Sequence, residues 1–113
     1  MICSIDLLPT VAASTGISLE QAVDGIDLTP ALKGGELKRE ALYWHYPHYS
    51  NQGGIPGGAI RMGEYKLFEN YEDGTISLYN LEQDIGETKD LSGQESERTR
   101  EMRQKLHAWY KEV

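Results

Sequence analysis

The chain has 113 residues, 39% of them hydrophobic and 26% charged, with a formal charge of -7, which suits one small domain with a modest core and disfavours general binding to nucleic-acid phosphates. No apolar run approaches the roughly 20 residues that cross a bilayer, and the start, Met1-Ile2-Cys3-Ser4-Ile5-Asp6, lacks the basic and long apolar regions of a signal peptide. One cysteine closes no internal disulfide and leaves the compartment open, and one Cys with three His excludes a Cys/His zinc cluster and supplies little catalytic equipment.

Residues 4–16 read as a helix. Ser4 or Asp6 can cap it, Pro9 falls in the first turn, and Gly16 stops it. Ile5, Leu7, Leu8, Val11, Ala12 and Ala13 make it apolar around most of its girth, so it expects cover on several sides. A helical turn follows at 29–33, with Thr29 as N-cap, Pro30 at the first helical position and Gly34-Gly35 beyond it. The polar stretch 34–40 reads as a linker.

From Glu40 the period changes to two. Leu42, Trp44 and Tyr46 alternate with Tyr43 and His45, predicting a strand at 41–46. Residues 47–58, with four glycines and two prolines, read as a shaped loop. Strands are expected at 59–62 and 65–70 around Gly63, and Asp73-Gly74 signals a two-residue hairpin into a strand at 75–80. Ser92 and Glu95 fit a capping box for a helix over 94–112, where Met102, Leu106, Trp109 and Val113 form one apolar stripe. The fold class is therefore α+β: a small antiparallel sheet of three to four strands, in a meander, packed against a C-terminal amphipathic helix and preceded by a short helical segment.

The densest concentration of ligand-competent residues is Tyr43-Trp44-His45-Tyr46-Pro47-His48-Tyr49 with the glycine-rich loop behind it. Histidines exchange protons near neutral pH, and Tyr and Trp offer flat faces with polar tips, so the segment suits a carbohydrate-contacting rim. Equally, Leu42, Trp44 and Tyr46 are sheet core if the histidines are surface. A His-x-x-His spacing across Pro47, with no acid or Cys beside it, is a poor metal site. Arg61, next to an amide-rich loop, suits an anion contact or a surface ion pair. Cys3 has no histidine within forty residues along the chain and reads as a small apolar side chain. Asp24, Asp27, Asp84 and Glu87 read as turn and cap residues, and His107 as a solvated rim residue beside the helix stripe.

Taken in order, these segments resemble the end of the type I, formylglycine-dependent sulfatases of the arylsulfatase family. Ser4-Ile5-Asp6-Leu7-Leu8-Pro9-Thr10 with Gly16, then Asp24-Gly25-Ile26-Asp27-Leu28-Thr29-Pro30 with Leu32 and Gly34, are similar to the close of that family's catalytic domain. Ala59-Ile60-Arg61-Met62-Gly63-Glu64-Tyr65-Lys66-Leu67 resembles its C-terminal hairpin, and Leu78-Tyr79-Asn80-Leu81 with Asp84 and Glu87 resembles the segment closing that sheet. The run from Tyr43 to Tyr49 is similar to a variant among bacterial sulfatases, many of which act on sulfated glycans.

The resemblance implies a C-terminal sulfatase portion, with residues 1–36 a helical remnant of the catalytic domain and 37–113 the C-terminal subdomain. Such enzymes use calcium and a formylglycine made from a cysteine or serine in C/S-x-P/A-x-R. Cys3-Ser4-Ile5-Asp6-Leu7 lacks the Pro/Ala and the Arg, the family's calcium ligands lie upstream of every matched segment, and Ile85 stands where the family usually has Pro. No catalytic residue, metal ligand or cofactor of the chain's own is therefore expected, and no turnover by the chain alone. The subdomain's loops wall the substrate cleft in the family, which makes His45, His48, Asn51 and Arg61 the candidate substrate contacts. The expected partners are the missing catalytic domain, or a second copy through uncovered Leu7, Leu8 and Val11, and a sulfated glycan, with no nucleic acid and no membrane. Bacterial relatives of this kind are often periplasmic or secreted. A stand-alone glycan- or protein-binding module with the same fold is the alternative, and a phosphatase or phosphodiesterase of the same superfamily a weaker one.

Overall fold

Two units organise the chain, Met1–Arg39 and Glu40–Val113. The structure, a computed structural model, describes residues 1–112, so the Val113 end of the expected apolar stripe lies outside the described residues.

In the first unit a 3-10 turn, Ser4–Asp6, runs into α1, Leu7–Thr15, which Gly16 ends at φ 71°. That left-handed conformation is one only glycine adopts readily. A single turn of helix, α2, covers Thr29–Leu32. Asp6 stands at the N-cap position of α1 but makes no side-chain cap bond to that helix. It is wholly buried, and its carboxylate accepts hydrogen bonds from Cys3 N at 2.8 Å, Ile26 N at 3.0 Å and both terminal nitrogens of Arg39 at 2.7 and 2.5 Å. The Arg39 guanidinium, helped by those two amides, holds the carboxyl far below its ordinary range against the opposing effect of burial. The Cys3 bond belongs to a capping box at the Ser4–Asp6 turn, so Asp6 caps the helix start from inside that turn as well as pairing with Arg39. Thr29 likewise lies inside α2 rather than at its N-cap, and Asp27 accepts its N–H at 2.7 Å. Thr10 adds a further stitch, donating to Asp6 O at 2.6 Å and accepting from Leu28 N at 2.9 Å. Pro9 and Ala12 are buried, whereas Leu7, Leu8 and Val11 remain 63%, 57% and 58% exposed.

In the second unit four strands, β1 Ala41–Tyr46, β2 Gly57–Met62, β3 Tyr65–Asn70 and β4 Ile76–Asn80, form an antiparallel meander in sequence order. Helix α3, Ser96–Trp109, packs on one face, and Ile60, Leu67, Leu78, Met102 and Leu106 form the buried core between them. Tyr43 extends that core by stacking on Trp109, with ring centroids 5.1 Å apart. The strands alternate, but Trp44 and Tyr46 are not sheet core: Tyr43, Ile60, Leu67 and Leu78 form the register row facing the helix, while Trp44 and Tyr46 stay 42% and 49% exposed on the other face.

Three local expectations are corrected. β2 starts at Gly57, two residues earlier than the glycine signal suggested, because these glycines serve close packing rather than a turn. A Cβ on Gly57 would meet the Phe68 ring at 2.4 Å, and one on Gly58 would meet the hydroxyls of Tyr110 and Tyr71 at 1.9 and 2.4 Å. Asp73-Gly74 makes no two-residue hairpin. Glu69 pairs with Ile76, and Asn70 N bonds Thr75 O at 2.9 Å, leaving a longer loop whose Asp73 carboxylate accepts Thr75 N at 2.9 Å. The capping box also fails to form. Helix α3 starts at Ser96 without a side-chain cap, Glu95 pairs with Arg98 at 2.7 Å, and Asp90 takes Ser92 N at 2.8 Å. Because Asp90 also accepts Leu78 N at 3.0 Å, Ser92 is tied to the sheet and drawn away from the helix end.

Candidate functional site

The sheet presents chemically distinct faces, and alternation assigns the candidate residues between them. Away from α3, the register aligns Leu42, Arg61, Lys66 and Tyr79 in one row and Trp44, Ala59, Phe68 and Ser77 in the next. Arg61 and Lys66 therefore stand directly opposite each other, a repulsive arrangement unless one charge is met elsewhere. Glu87 meets that of Lys66, its two oxygens accepting from Nζ at 2.6 and 2.8 Å. Glu87 has φ 53°, unusual for a residue other than glycine. Arg61 keeps its charge unneutralised among the described residues, its hydrogen bond there being a long one to Gly63 O at 3.5 Å. Trp44, Arg61, Phe68 and Glu87 border a cleft of about 410 Å³. A guanidinium with spare donors beside an exposed indole can hold an anionic group and stack a ring.

The loop between β1 and β2 continues from this face. His48 packs edge-on against Tyr46, whose side chain shares the Trp44 face, at 5.9 Å between centroids. Asn51 lies exposed at the tip of a turn closed by Ser50 N to Gly54 O at 2.9 Å and Gly53 N to Ser50 O at 3.1 Å. Tyr49 donates to Glu72 at 2.8 Å, which ties the loop to the β3–β4 connection. Arg61 therefore lies on the face away from α3 and His48 packs beside that face, while Asn51 is exposed on the loop.

His45 is not on that face. One residue out of phase with Trp44, it lies on the helix side, with Nδ1 2.9 Å from the Tyr71 hydroxyl and its ring edge-on to Tyr110 at 4.8 Å. Burial, and after it the Glu69 charge, pushes the Tyr71 hydroxyl up to about 12, so it stays protonated at neutral pH. Beside this pair, Glu69 is nearly buried and fully engaged. Arg103 donates to one oxygen at 2.8 and 3.2 Å, and the other lies 2.6 Å from His107 Nε2. Burial works against ionisation of Glu69, but the His107 and Arg103 bonds outweigh it and hold the carboxyl below its usual range. His107 is thus half-exposed as expected but paired rather than merely solvated. Glu69, Tyr71 and Arg103 had no sequence signal, since 34 residues separate Glu69 from Arg103.

The residues present do not fit a calcium or formylglycine centre. Asp6, the acid nearest Cys3 in sequence, has its carboxylate filled by Arg39 and two amides. Among the described residues no three His, Cys, Asp or Glu side chains stand together as a metal shell.

Comparison with known proteins places this arrangement among sulfatases. The family model described as N-sulphoglucosamine sulphohydrolase, C-terminal, matches residues 1–112. A sulfatase from Formosa agariphila is 34% identical over 94% of this chain and 22% of its own length. A delta 4,5-hexuronate-2-O-sulfatase from Bacteroides thetaiotaomicron is 33% identical over 79% of this chain and 19% of its own. A solved sulfatase structure from Bacteroides thetaiotaomicron superposes with a TM-score of 0.81 at 28% identity, over 95% of this chain and 24% of that one. The chain spans about a fifth of the length of the curated relatives it matches.

Proposed function

The chain belongs to the family of N-sulphoglucosamine sulphohydrolase C-terminal domains, the C-terminal portion of sulfatases that act on sulfated carbohydrates, and from that premise we propose that it walls the substrate cleft of a sulfuric ester hydrolase and has no turnover alone. The first unit, ending at Arg39, is the tail of the catalytic domain and the unit from Glu40 onward the C-terminal subdomain, a boundary three residues beyond the 36/37 division expected from sequence. The calcium and formylglycine that the sulfatase family uses would be held by polypeptide outside the described residues, none of which forms a site for them.

The observation that carries this reading is the single uncompensated guanidinium on the sheet face away from α3. Lys66 is consumed by Glu87, so Arg61 offers its donors to an anion, while Trp44 supplies a stacking surface beside it. His48 and Asn51 on the adjoining loop add hydrogen-bond donors for hydroxyl or sulfate oxygens. His45 is assigned to substrate only in so far as the ligand reaches the helix side of β1. The missing catalytic domain, or failing that a second copy, covers Leu7, Leu8 and Val11.

Two measurements test it. Incubating the pure chain with a sulfated oligosaccharide should release no free sulfate above a buffer control, and measurable release overturns the non-catalytic clause. Calorimetric titration with the same oligosaccharide should give weaker binding for Arg61→Ala than for the parent chain, and equal binding removes Arg61 from the contact set. The second reading, a stand-alone glycan- or protein-binding module, is favoured by the second unit's own buried core of four strands and a helix. It predicts full affinity without any further polypeptide, whereas a cleft wall gains affinity when the catalytic domain is supplied.

A further inference from the structure

The helix side of the sheet carries a groove that the cleft-wall reading leaves unused. It holds about 470 Å³ between the end of β1, the end of β3 and the C-terminal turn of α3, and His45, Tyr71, His107, Tyr110 and Lys111 border it above the buried Glu69. We propose that this groove binds an acidic sugar unit of the glycan chain, as a site separate from the Arg61 face; the proposal rests on the carbohydrate reading given above for the choice of ligand class.

Gly58 supplies no side chain where its register row, His45–Gly58–Glu69–Ile76, crosses the sheet, and the tyrosine hydroxyls of residues 71 and 110 converge on that gap. The two rings, 6.0 Å apart and inclined by 58°, make the aromatic lining of an open depression. Flat aromatic faces of this kind take the apolar C–H face of a pyranose.

Charge selects among sugars. Glu69 is the one carboxylate among the described residues that border the groove, and it is nearly buried with each oxygen already bonded. Arg103 meets its charge, joined by His107 when that ring is protonated, and the Lys111 ammonium adds a further positive charge at the rim of a chain whose formal charge is -7. Two imidazoles add donors. With Tyr71 donating to its Nδ1, His45 keeps Nε2–H, and His107, which gives Nε2–H to Glu69, offers Nδ1–H when its ring is protonated. A stacked ring with a carboxylate or sulfate directed at Lys111 and these nitrogens satisfies the site, whereas a neutral ring leaves the cation unmatched.

Proton NMR of the full chain tests the proposal through the ring signals of His45, His107 and Tyr71, titrated with a chondroitin 6-sulfate hexasaccharide, its desulfated but still carboxylated counterpart, and neutral chitohexaose. The acidic sugars should shift those signals, and Lys111→Ala should weaken the response about threefold or more, as loss of a partly exposed charge pair does. Arg61→Ala should leave it unchanged. Equal binding of the two acidic sugars identifies the carboxylate as the recognised group, and preference for the first identifies the sulfate; each supports the site. Equal binding of chitohexaose overturns it, as does a response insensitive to Lys111→Ala. If Trp44 and His48 signals respond and those of Tyr71 and His107 do not, the groove is empty and the Arg61 face stands alone. If the groove responds and the Trp44 face does not, the present proposal holds and the cleft-wall assignment of Arg61 fails.

Discussion

The two units are held together by opposite means. Residues 1–39 close around one buried carboxylate, with Arg39, Cys3 and Ile26 converging on Asp6 while the larger apolar side chains of α1 face outward. Residues 40–112 close around Ile60, Leu67, Leu78, Met102 and Leu106, and most of their charges lie outside that core. Hydrophobic burial is non-directional and tolerates adjustment, whereas a four-donor carboxylate is geometrically demanding and fails as a whole. A unit built in the first way has reason to depend on cover from elsewhere, and one built in the second is self-sufficient in core.

Four experiments sharpen that contrast, in decreasing order of effect. Asp6→Ala leaves a buried guanidinium unpaired and should cost about 3–5 kcal/mol, a loss seen in the first unit as faster amide exchange at Ile26. Unchanged exchange there would mean that the ion pair is incidental. Leu67→Ala empties part of the sheet core and should cost about 2–5 kcal/mol by urea unfolding, read from the Trp109 signal. The same substitution should leave the Ile26 amide less affected than Asp6→Ala does.

Acid separates the units next. The Asp6 carboxyl titrates lower when folded than when unfolded, so its contribution is essentially complete above about pH 4 to 5, declines progressively below that and is gone once pH has fallen through the depressed folded value. Protection at Ile26 should therefore persist through pH 4 and vanish in stronger acid; loss already at pH 5 would contradict the pairing. The smallest effect on stability is expected for Leu8→Glu, within about 0.5 kcal/mol because the side chain is already exposed. Its consequence should appear in sedimentation, as weaker self-association than the parent chain shows. A parent chain that is monomeric at every concentration removes the second copy as a partner.

What could be read from the sequence follows the reach of each interaction. Alternation from Leu42 to Tyr46 and the Met102–Leu106–Trp109 spacing are local patterns, and both strand β1 and helix α3 match them. The family resemblance extended this to the order of segments along nearly the whole chain. The Asp6–Arg39 and Glu69–Arg103 pairs join residues 33 and 34 positions apart, and no periodicity announces which acid meets which base over that distance. Ser92 and Glu95 show the converse failure. A local motif was present, but Asp90 and Arg98 offered its members better partners than each other. For the candidate contacts, composition gathered His45, His48, Asn51 and Arg61 into one neighbourhood, whereas the period of two sends His45 to the far side of the sheet from Arg61.

The glycine pair at the start of β2 has a consequence for strand alignment. Alternation alone forbids a slip of one residue, because that would turn the buried row outward, but a slip of two keeps every side chain on its own face. Here such a slip would bring Ile60 or Pro56 into the place of Gly58, beneath hydroxyls that already exclude a single methyl group. Gly57 does the same against Phe68 on the other side. The two residues with no side chain thereby act as a vernier for the sheet, marking the one alignment in which Tyr71 and Tyr110 can both lie down.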